Sequence, residues 1–360
     1  MTRTRSPLLA AALLALASIA QAGELTIGYN QAWIDGSYGH DLTDRFDADA
    51  WERILRRTRE GGGSALRVWI LEGRDKEGVV WDGHRPVGVQ PELLANLRAL
   101  IGLAERHRVQ LYWTLLSANW PAHWPKGTIA SERQHNVFND KYGHGALFRE
   151  RVLGPILQVL TEKPQVNYGL DLMNEVQGSV RAHFWPDGWA GARAFLRAMT
   201  AYVHAHAPGL KVTASSGHHT AAWDLLRGRF DGLGLDFYDV HVYEDAGRIP
   251  WGRLLAWHAR RRGLPIVVGE FGQQDAADDP ALQARVTRSL LRRARQLGFS
   301  AAFAWRLEDR QAHDLRFSFY EGDRARPALN AMRAAAGLPP IDLAAPPSSR
   351  GLTGAVRGSP

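Results

Sequence analysis

The chain contains no cysteine, which excludes disulfides, a lipid-anchoring thiol and zinc sites built on thiolate. No G-x-S-x-G elbow is present, which argues against a serine hydrolase of that kind. The stretch after the first β-rich run, "GYNQAWIDG", is not a phosphate-cradling glycine signature. "GGGS" at 61–64 follows a helical stretch and lacks the required lysine, so it is read as a helix stop. Metal motifs are missing too. His204 and His206 are two apart on an expected helix and do not share a face, and "GHH" at 217–219 has no paired carboxylate motif of the H-E-x-x-H kind. No metal and no cofactor are therefore expected. Long apolar runs are confined to "PLLAAALLALASIA" at 7–20, behind Arg3 and Arg5 and ahead of the small-residue site "AQA" at 20–22. That pattern predicts a secretory leader over 1–22, too short for a membrane anchor, and a mature chain from Gly23 in the periplasm or outside the cell.

What remains is a chain of ordinary globular composition: 360 residues, 45% hydrophobic and 22% charged, enough for one sizeable core. The formal charge is +7, from 44 basic and 37 acidic residues; loss of Arg3 and Arg5 with the leader reduces it to +5. In "RILRRTRE" and "RSLLRRARQ" the arginines alternate with apolar positions at helical spacing, which describes a solvated helix face, and no nucleic-acid partner is expected. The Pro, Gly and Ser-rich end predicts a disordered tail over 341–360.

Between leader and tail, over 23–340, eight β-rich runs alternate with amphipathic helical stretches. The runs are 25–30, 65–70, 109–116, 166–175, 211–216, 238–243, 265–271 and 300–307. "DADAWERILRRTRE" follows a capping Asp, "PELLANLRALIGLAERH" begins on Pro, and "DPALQARVTRSLLRRARQLG" closes on Gly. Strand and helix repeated eight times predict a single-domain α/β protein, a (β/α)8 TIM barrel, and a monomer. In that fold the chemistry collects where strands end. Asn30 ends the first run, Arg67 and Trp69 lie late in the second, and Asn174 and Glu175 end the fourth. His241 and Tyr243 end the sixth, Glu270 the seventh, and Trp305 and Arg306 the eighth.

The set "RVW", "MNE", "HVY", "GEF" and "AWR", in that order and on those strands, resembles the retaining glycoside hydrolases of clan A, family 5 cellulases and mannanases above all. The resemblance implies Glu175 as general acid/base and Glu270 as nucleophile. Retention needs a protonated and an ionised carboxyl about 5 to 5.5 Å apart, which two strand ends can supply. Arg67 would keep Glu270 ionised and Tyr243 would hold one of its oxygens, while the charge of Glu270 and partial burial would keep Glu175 protonated until it acts. Asn174 would bind a sugar 2-hydroxyl, and His241 would orient Glu175 or the sugar.

Thirteen tryptophans suit a carbohydrate, whose C–H faces stack on indole. Trp33, Trp81, Trp120, Trp124, Trp185 and Trp223 fall in or near segments that follow strands, and Trp305 would floor the subsite at the cleaved bond. Trp51, Trp113 and Trp257 are assigned to the core. The long connections 71–90 and 117–143 would wall the cleft, offering Asp75, Asn119, His123, His135 and Asn136 to sugar hydroxyls. "WTLLSAN" stands where many family 5 cellulases carry a histidine. The expected partner is thus a β-linked polysaccharide, with β-mannan, β-glucan and a bacterium's own exopolysaccharide all open. Transglycosylation and a non-catalytic carbohydrate-binding barrel are the alternatives.

Overall fold

The computed structural model describes residues 24–34, 41–71, 78–117, 127–181, 185–217, 219–243, 247–309 and 316–343. The expected leader, the tail beyond 343, and Asp75, Asn119, Trp120, His123 and Trp124 lie outside them. Among the described residues, eight parallel barrel strands follow one another. They are β1 (Thr26–Asn30), β2 (Ala65–Leu71), β3 (Gln110–Leu116), β4 (Asn167–Asp171), β5 in two pieces (Val212–Thr213 and Ser215–Ser216), β6 (Tyr238–Val242), β7 (Ile266–Phe271) and β8 (Ala301–Ala304). The sheet runs from the first piece of β5 through β4, β3, β2, β1, β8, β7 and β6 to the second piece of β5. The break at Ala214 is what closes the barrel. Val212 and Thr213 pair with Leu170 and Asp171, whereas Ser215 and Ser216 pair with Asp239 and Val240.

Helices cover the outside, and their ends carry the expected chemistry. Asp47 accepts from the Ala50 amide at 2.9 Å to start Ala48–Glu60, Asp279 accepts from Leu282 at 2.7 Å to start Pro280–Leu297, and Gly298 ends that helix at φ 77°. Inside the barrel, below the strand ends, Tyr112 stands 5.1 Å from Phe303, 5.5 Å from Tyr168 and 5.8 Å from Phe237, a solid aromatic plug. Gly28 makes room for it: a Cβ there would stand 2.3 Å from the Phe303 ring.

Three details depart from the sequence-based expectation. The fourth run leaves regular strand structure at Asp171, four residues early; beyond it Leu172 donates to the Thr213 carbonyl at 2.8 Å, and Asn174 forms an isolated bridge to Ser117. Order extends past 340, because Ile341 donates to Asn330 Oδ1 at 2.9 Å and accepts from its Nδ2 at 3.1 Å. Among the tryptophans, Trp51 and Trp113 are fully buried as expected, but Trp257 is 49% exposed. Helix Gly252–Arg262 turns Leu255, Ala256 and Ala259 inward, and Trp257 falls on the opposite face. Trp185 errs the other way. It is 1% exposed and stacks on Phe138 at 5.6 Å, so it is core and not cleft wall. No helix among the described residues is long and apolar enough to cross a membrane.

Candidate active site

The polar residues at the C-terminal strand ends meet around one guanidinium. Arg67, fully buried on β2, donates from Nη1 to Glu270 Oε1 (2.5 Å) and Asn30 Oδ1 (3.1 Å), and from Nη2 to Asp171 Oδ2 (2.7 Å) and Asn174 Oδ1 (2.8 Å). Burial opposes the charge of Arg67, but Glu270 and Asp171 outweigh it and hold the group protonated beyond its ordinary range. Asn30 in turn donates to the Gly269 carbonyl at 3.0 Å, tying β1 to β7.

Glu270 accepts a second hydrogen bond, 2.6 Å from the Tyr243 hydroxyl to its Oε2. Tyr243 as a residue is 42% exposed while its hydroxyl bonds inward to Glu270. Burial and the neighbouring Glu270 push that phenol well above its usual value, so it stays a donor. On the facing wall, Glu175 Oε1 lies 3.0 Å from His241 Nδ1, which is itself 3.5 Å from Glu270 Oε2. One ligand atom from each of Glu175, His241 and Glu270 lies within 4.8 Å of the others. That spacing matches the short carboxyl gap of a double displacement, roughly 5 to 5.5 Å, and not the roughly 6.5 to 9.5 Å that leaves room for a water. Such a trio could also converge on a cation. Here Glu270 is already committed on both oxygens to a guanidinium and a phenol, so the arrangement suits proton transfer and nucleophilic attack.

Glu175 is held by its backbone. It has φ 51°, a left-handed conformation that a non-glycine residue adopts at a cost, and its amide donates to Ser215 Oγ at 3.0 Å. Ser215 and Met173 both donate from their amides to Asp171 Oδ1, at 3.0 and 3.1 Å, so one buried carboxylate aligns Arg67 and the turn that carries Glu175. Gly217 lies against the other side: a Cβ there would fall 2.2 Å from the Glu175 carboxyl. Gly217→Ala should therefore displace Glu175 by about an ångström and lower kcat roughly a hundredfold. Steady-state kinetics beside an unchanged melting temperature would check this; unchanged kcat would refute it.

A second set, absent from the sequence reading, lies beneath. Asp239 on β6 accepts a short hydrogen bond from Tyr112 and lies 3.9 Å from His241 Nε2. Gly269 is required beside it, since a Cβ would reach the Asp239 carboxylate at 2.1 Å. Burial raises Asp239 to about 6, against the pull of His241 and Arg67. For His241, burial disfavours the charge, but Glu270, the hydrogen bond to Glu175 and Asp239 lift it from 6.5 to about 8. A value raised by folding means that the native state holds the proton longer. The stabilisation is complete below pH about 6.5 and is lost as pH rises through about 8, on the order of 2 kcal/mol for His241 alone. Asp239 acts in the same direction between about 3.8 and 6. Melting temperatures should fall from pH 6.5 to 8.5, and His241→Asn should flatten that segment; equal slopes would disprove the assignment.

Trp305 leaves β8 beside this site, with ring centroids 5.7 Å from Trp33 and 6.1 Å from Trp69, and Trp33 is 5.6 Å from Trp69. The three form an aromatic corner over β8, β1 and β2. Trp81 belongs to a hairpin of Val79–Asp82 and Arg85–Val89 in the connection after β2. In the connection after β3, His135 and Asn136 lie on helix Ile129–Phe138, with Asn136 only 8% exposed. Asp171, Asp239, Tyr112, Ser215 and Gly217 escaped the sequence reading. The two aspartates did leave a signal, a carboxylate inside an apolar β-run, which demands a buried partner.

No protein-family model matches the chain. In sequence it is similar to a mannan endo-1,4-beta-mannosidase of Mytilus edulis, 24% identical over 330 residues, spanning 78% of this chain and 83% of that one. Among solved structures it is similar to a beta-mannanase from the blue mussel Mytilus edulis (TM-score 0.65, 20% identity, 87% of this chain and 92% of that). A further similar structure is a beta-1,4-D-mannanase from Cryptopygus antarcticus (TM-score 0.63, 17% identity, 89% and 92%). The chain is thus a single (β/α)8 barrel, similar in sequence to a mannan endo-1,4-beta-mannosidase and in fold to beta-mannanases.

Proposed function

We propose that the protein is a retaining β-glycoside hydrolase, exported to the periplasm or the medium, that cleaves a β-1,4-linked polysaccharide of the mannan or glucan type. The observation that carries this reading is the pair of carboxylates, Glu175 on the turn after β4 and Glu270 on β7, with one oxygen of each within 4.8 Å of the other and with different surroundings. Glu270, gripped by Arg67 and Tyr243, attacks the anomeric carbon as Glu175 gives its proton to the departing oxygen. The bond from carbon to the leaving sugar breaks and a glycosyl ester forms on Glu270. Glu175, now a carboxylate, takes a proton from water, which attacks the same carbon and frees Glu270. His241 positions Glu175, Asn174 faces the sugar 2-hydroxyl, and Trp305 floors the ring at the cleaved bond. Trp120 and Trp124 are offered as further stacking surfaces. The mussel relative, named as a mannan endo-1,4-beta-mannosidase, favours mannan among the candidate polymers.

A non-catalytic carbohydrate-binding barrel would have no need for two carboxylates held so differently. The test is a panel of β-mannan, β-glucan and bacterial exopolysaccharide, with product stereochemistry by NMR; inverted product, or no turnover on any of them, would exclude the proposal. Glu175→Ala should regain activity on aryl glycosides with activated leaving groups, and more when azide is added. If neither rescue occurs, Glu175 is not the acid/base.

A further inference from the structure

We infer that the outward face of helix Gly252–Arg262, with the arginines of helix Pro280–Leu297 beside it, docks the protein on an anionic phospholipid surface. This goes beyond the hydrolase reading and does not depend on it. The first helix reads GRLLAWHARRR and the second PALQARVTRSLLRRARQL, four arginines and five, with no aspartate or glutamate in either. Folding neutralises few of them. Arg262 pairs with Asp231, Arg285 stands 3.9 Å from Asp279, and Arg295 donates to the Ala335 carbonyl. Arg253, Arg260, Arg261, Arg288, Arg292 and Arg293 are exposed and meet no carboxylate among the described residues. Charge alone would describe a solvated helix face. The apolar residues set among the charges do not fit that description. Trp251, Leu254 and Trp257, within seven consecutive positions, are 51%, 46% and 49% exposed. Helical spacing puts Arg253, Trp257 and Arg260 on one stripe with Leu254 and Arg261 alongside, opposite the inward Leu255 and Ala259. The Arg261 guanidinium lies 5.4 Å from the centre of the Trp257 ring.

The mixture of side chains selects the partner. The outside of a helix is convex and encloses no small ligand, and an exposed leucine offers nothing to a soluble anion. The headgroup layer of a bilayer takes all three residue types at once. Indoles settle at the boundary between headgroups and acyl chains, leucine passes just below it, and arginines meet the phosphates. Clusters of about four to eight basic residues on a helix are the pattern that suits anionic lipid, each near the surface raising affinity about fivefold. The helix is also tied to the end of the barrel away from the catalytic rim. A Cβ on Gly252 would stand 2.6 Å from Leu297, the last residue of the helix that leads into β8. Toward the other end, Arg262 and His258 meet Asp231, which accepts at 2.6 Å from the hydroxyl of Tyr238, the first residue of β6. These contacts lie where strands begin, whereas Glu175 and Glu270 lie where they end. A molecule resting on this face therefore keeps its cleft open to the medium.

The experiment is co-sedimentation with sucrose-loaded vesicles, using the chain from Gly23 onward because the apolar stretch at 7–20 would itself enter lipid. Vesicles of phosphatidylcholine alone are compared with an equal mixture of phosphatidylcholine and phosphatidylglycerol. Affinity should be at least about tenfold higher for the mixture, and should fall about tenfold as salt rises from roughly 0.05 to 0.5 M. The triple change Arg253→Gln, Arg260→Gln and Arg261→Gln should lower it about a hundredfold. Leu254→Ser with Trp257→Ser should lower it about tenfold or more. All five side chains are exposed, so melting temperatures and activity on a soluble glycoside should stay near those of the parent. The salt series tests the charge without any substitution. No preference for the mixture, or both variants within twofold of the parent, would overturn the inference. Binding of polyphosphate but of neither vesicle would overturn it in favour of a soluble polyanion. Self-association through Leu254 and Trp257 in sedimentation velocity, without vesicle binding, would overturn it by assigning the face to a second copy. Docking that follows these changes in a chain that cleaves no glycoside would uphold it and reject the hydrolase reading alone.

Discussion

Glu270→Ala should reduce hydrolysis of β-1,4-linked polysaccharide by on the order of 10^4 to 10^6, the scale on which enzymes lose activity when a covalent nucleophile is removed. The size follows from geometry. Glu270 is the carboxylate whose two oxygens are fixed, by Arg67 at 2.5 Å and Tyr243 at 2.6 Å, so in the proposed mechanism it is an aligned attacker that water cannot replace at the same position. In the proposed double displacement no glycosyl ester would then form, and the first displacement would lose its acceptor. Fold should be largely retained, because Arg67 keeps Asp171 as an ionic partner at 2.7 Å. Rate measurements on mannan and glucan beside circular dichroism would test this. Turnover within tenfold of the parent would remove Glu270 from its assigned role and with it the double displacement.

The barrel was legible because its signal is periodic and local. Each β-rich run of four to eight residues is followed by a stretch with helical spacing, and the polar residues at the run ends mark one face of the molecule. Arg67, Glu175, His241, Tyr243 and Glu270 could be placed on that face because strand ends are counted along the chain. The supports beneath them could not. Asp171 meets Arg67 across 104 positions of sequence, and Tyr112 meets Asp239 across 127, so only closure of the barrel reveals that these charges are partnered. A carboxylate inside "YGLDLM" or "YDVHVY" reads along the chain as an interruption of an apolar strand. In three dimensions it is the fixed charge that aligns the neighbouring strand ends. The tryptophans show the complementary limit. Whether an indole is core or cleft depends on helix phase, and one position separates inward-facing Ala256 from Trp257, half of which is exposed.

Arg67→Ala is expected to unfold the site as well as silence it. The side chain is wholly buried and is shared by Glu270, Asp171, Asn30 and Asn174, drawn from the ends of three strands (β1, β4 and β7), so its removal leaves Asp171 and Glu270 buried without their guanidinium, with only His241, 3.5 Å from Glu270, as a nearby cationic group. Breaking a buried ion pair by deleting one partner costs roughly 3 to 5 kcal/mol, most of it the desolvation of the charge left behind. Urea denaturation should show a lower midpoint at unchanged m value, and kcat/KM should fall by about 10^3 or more. Lysine cannot replace the planar fork, which reaches Glu270 with one nitrogen and Asp171 with the other, so Arg67→Lys should recover only part of either loss. The double variant Arg67→Ala with Asp171→Asn separates the two contributions. If Asp171 is costly chiefly because it is left charged, neutralising it should return a substantial share of the stability and none of the activity, since Glu270 still lacks the guanidinium that fixes its Oε1. Additive losses in the double variant, or a midpoint for Arg67→Ala equal to that of the parent, would show that the guanidinium is not the keystone of the strand ends.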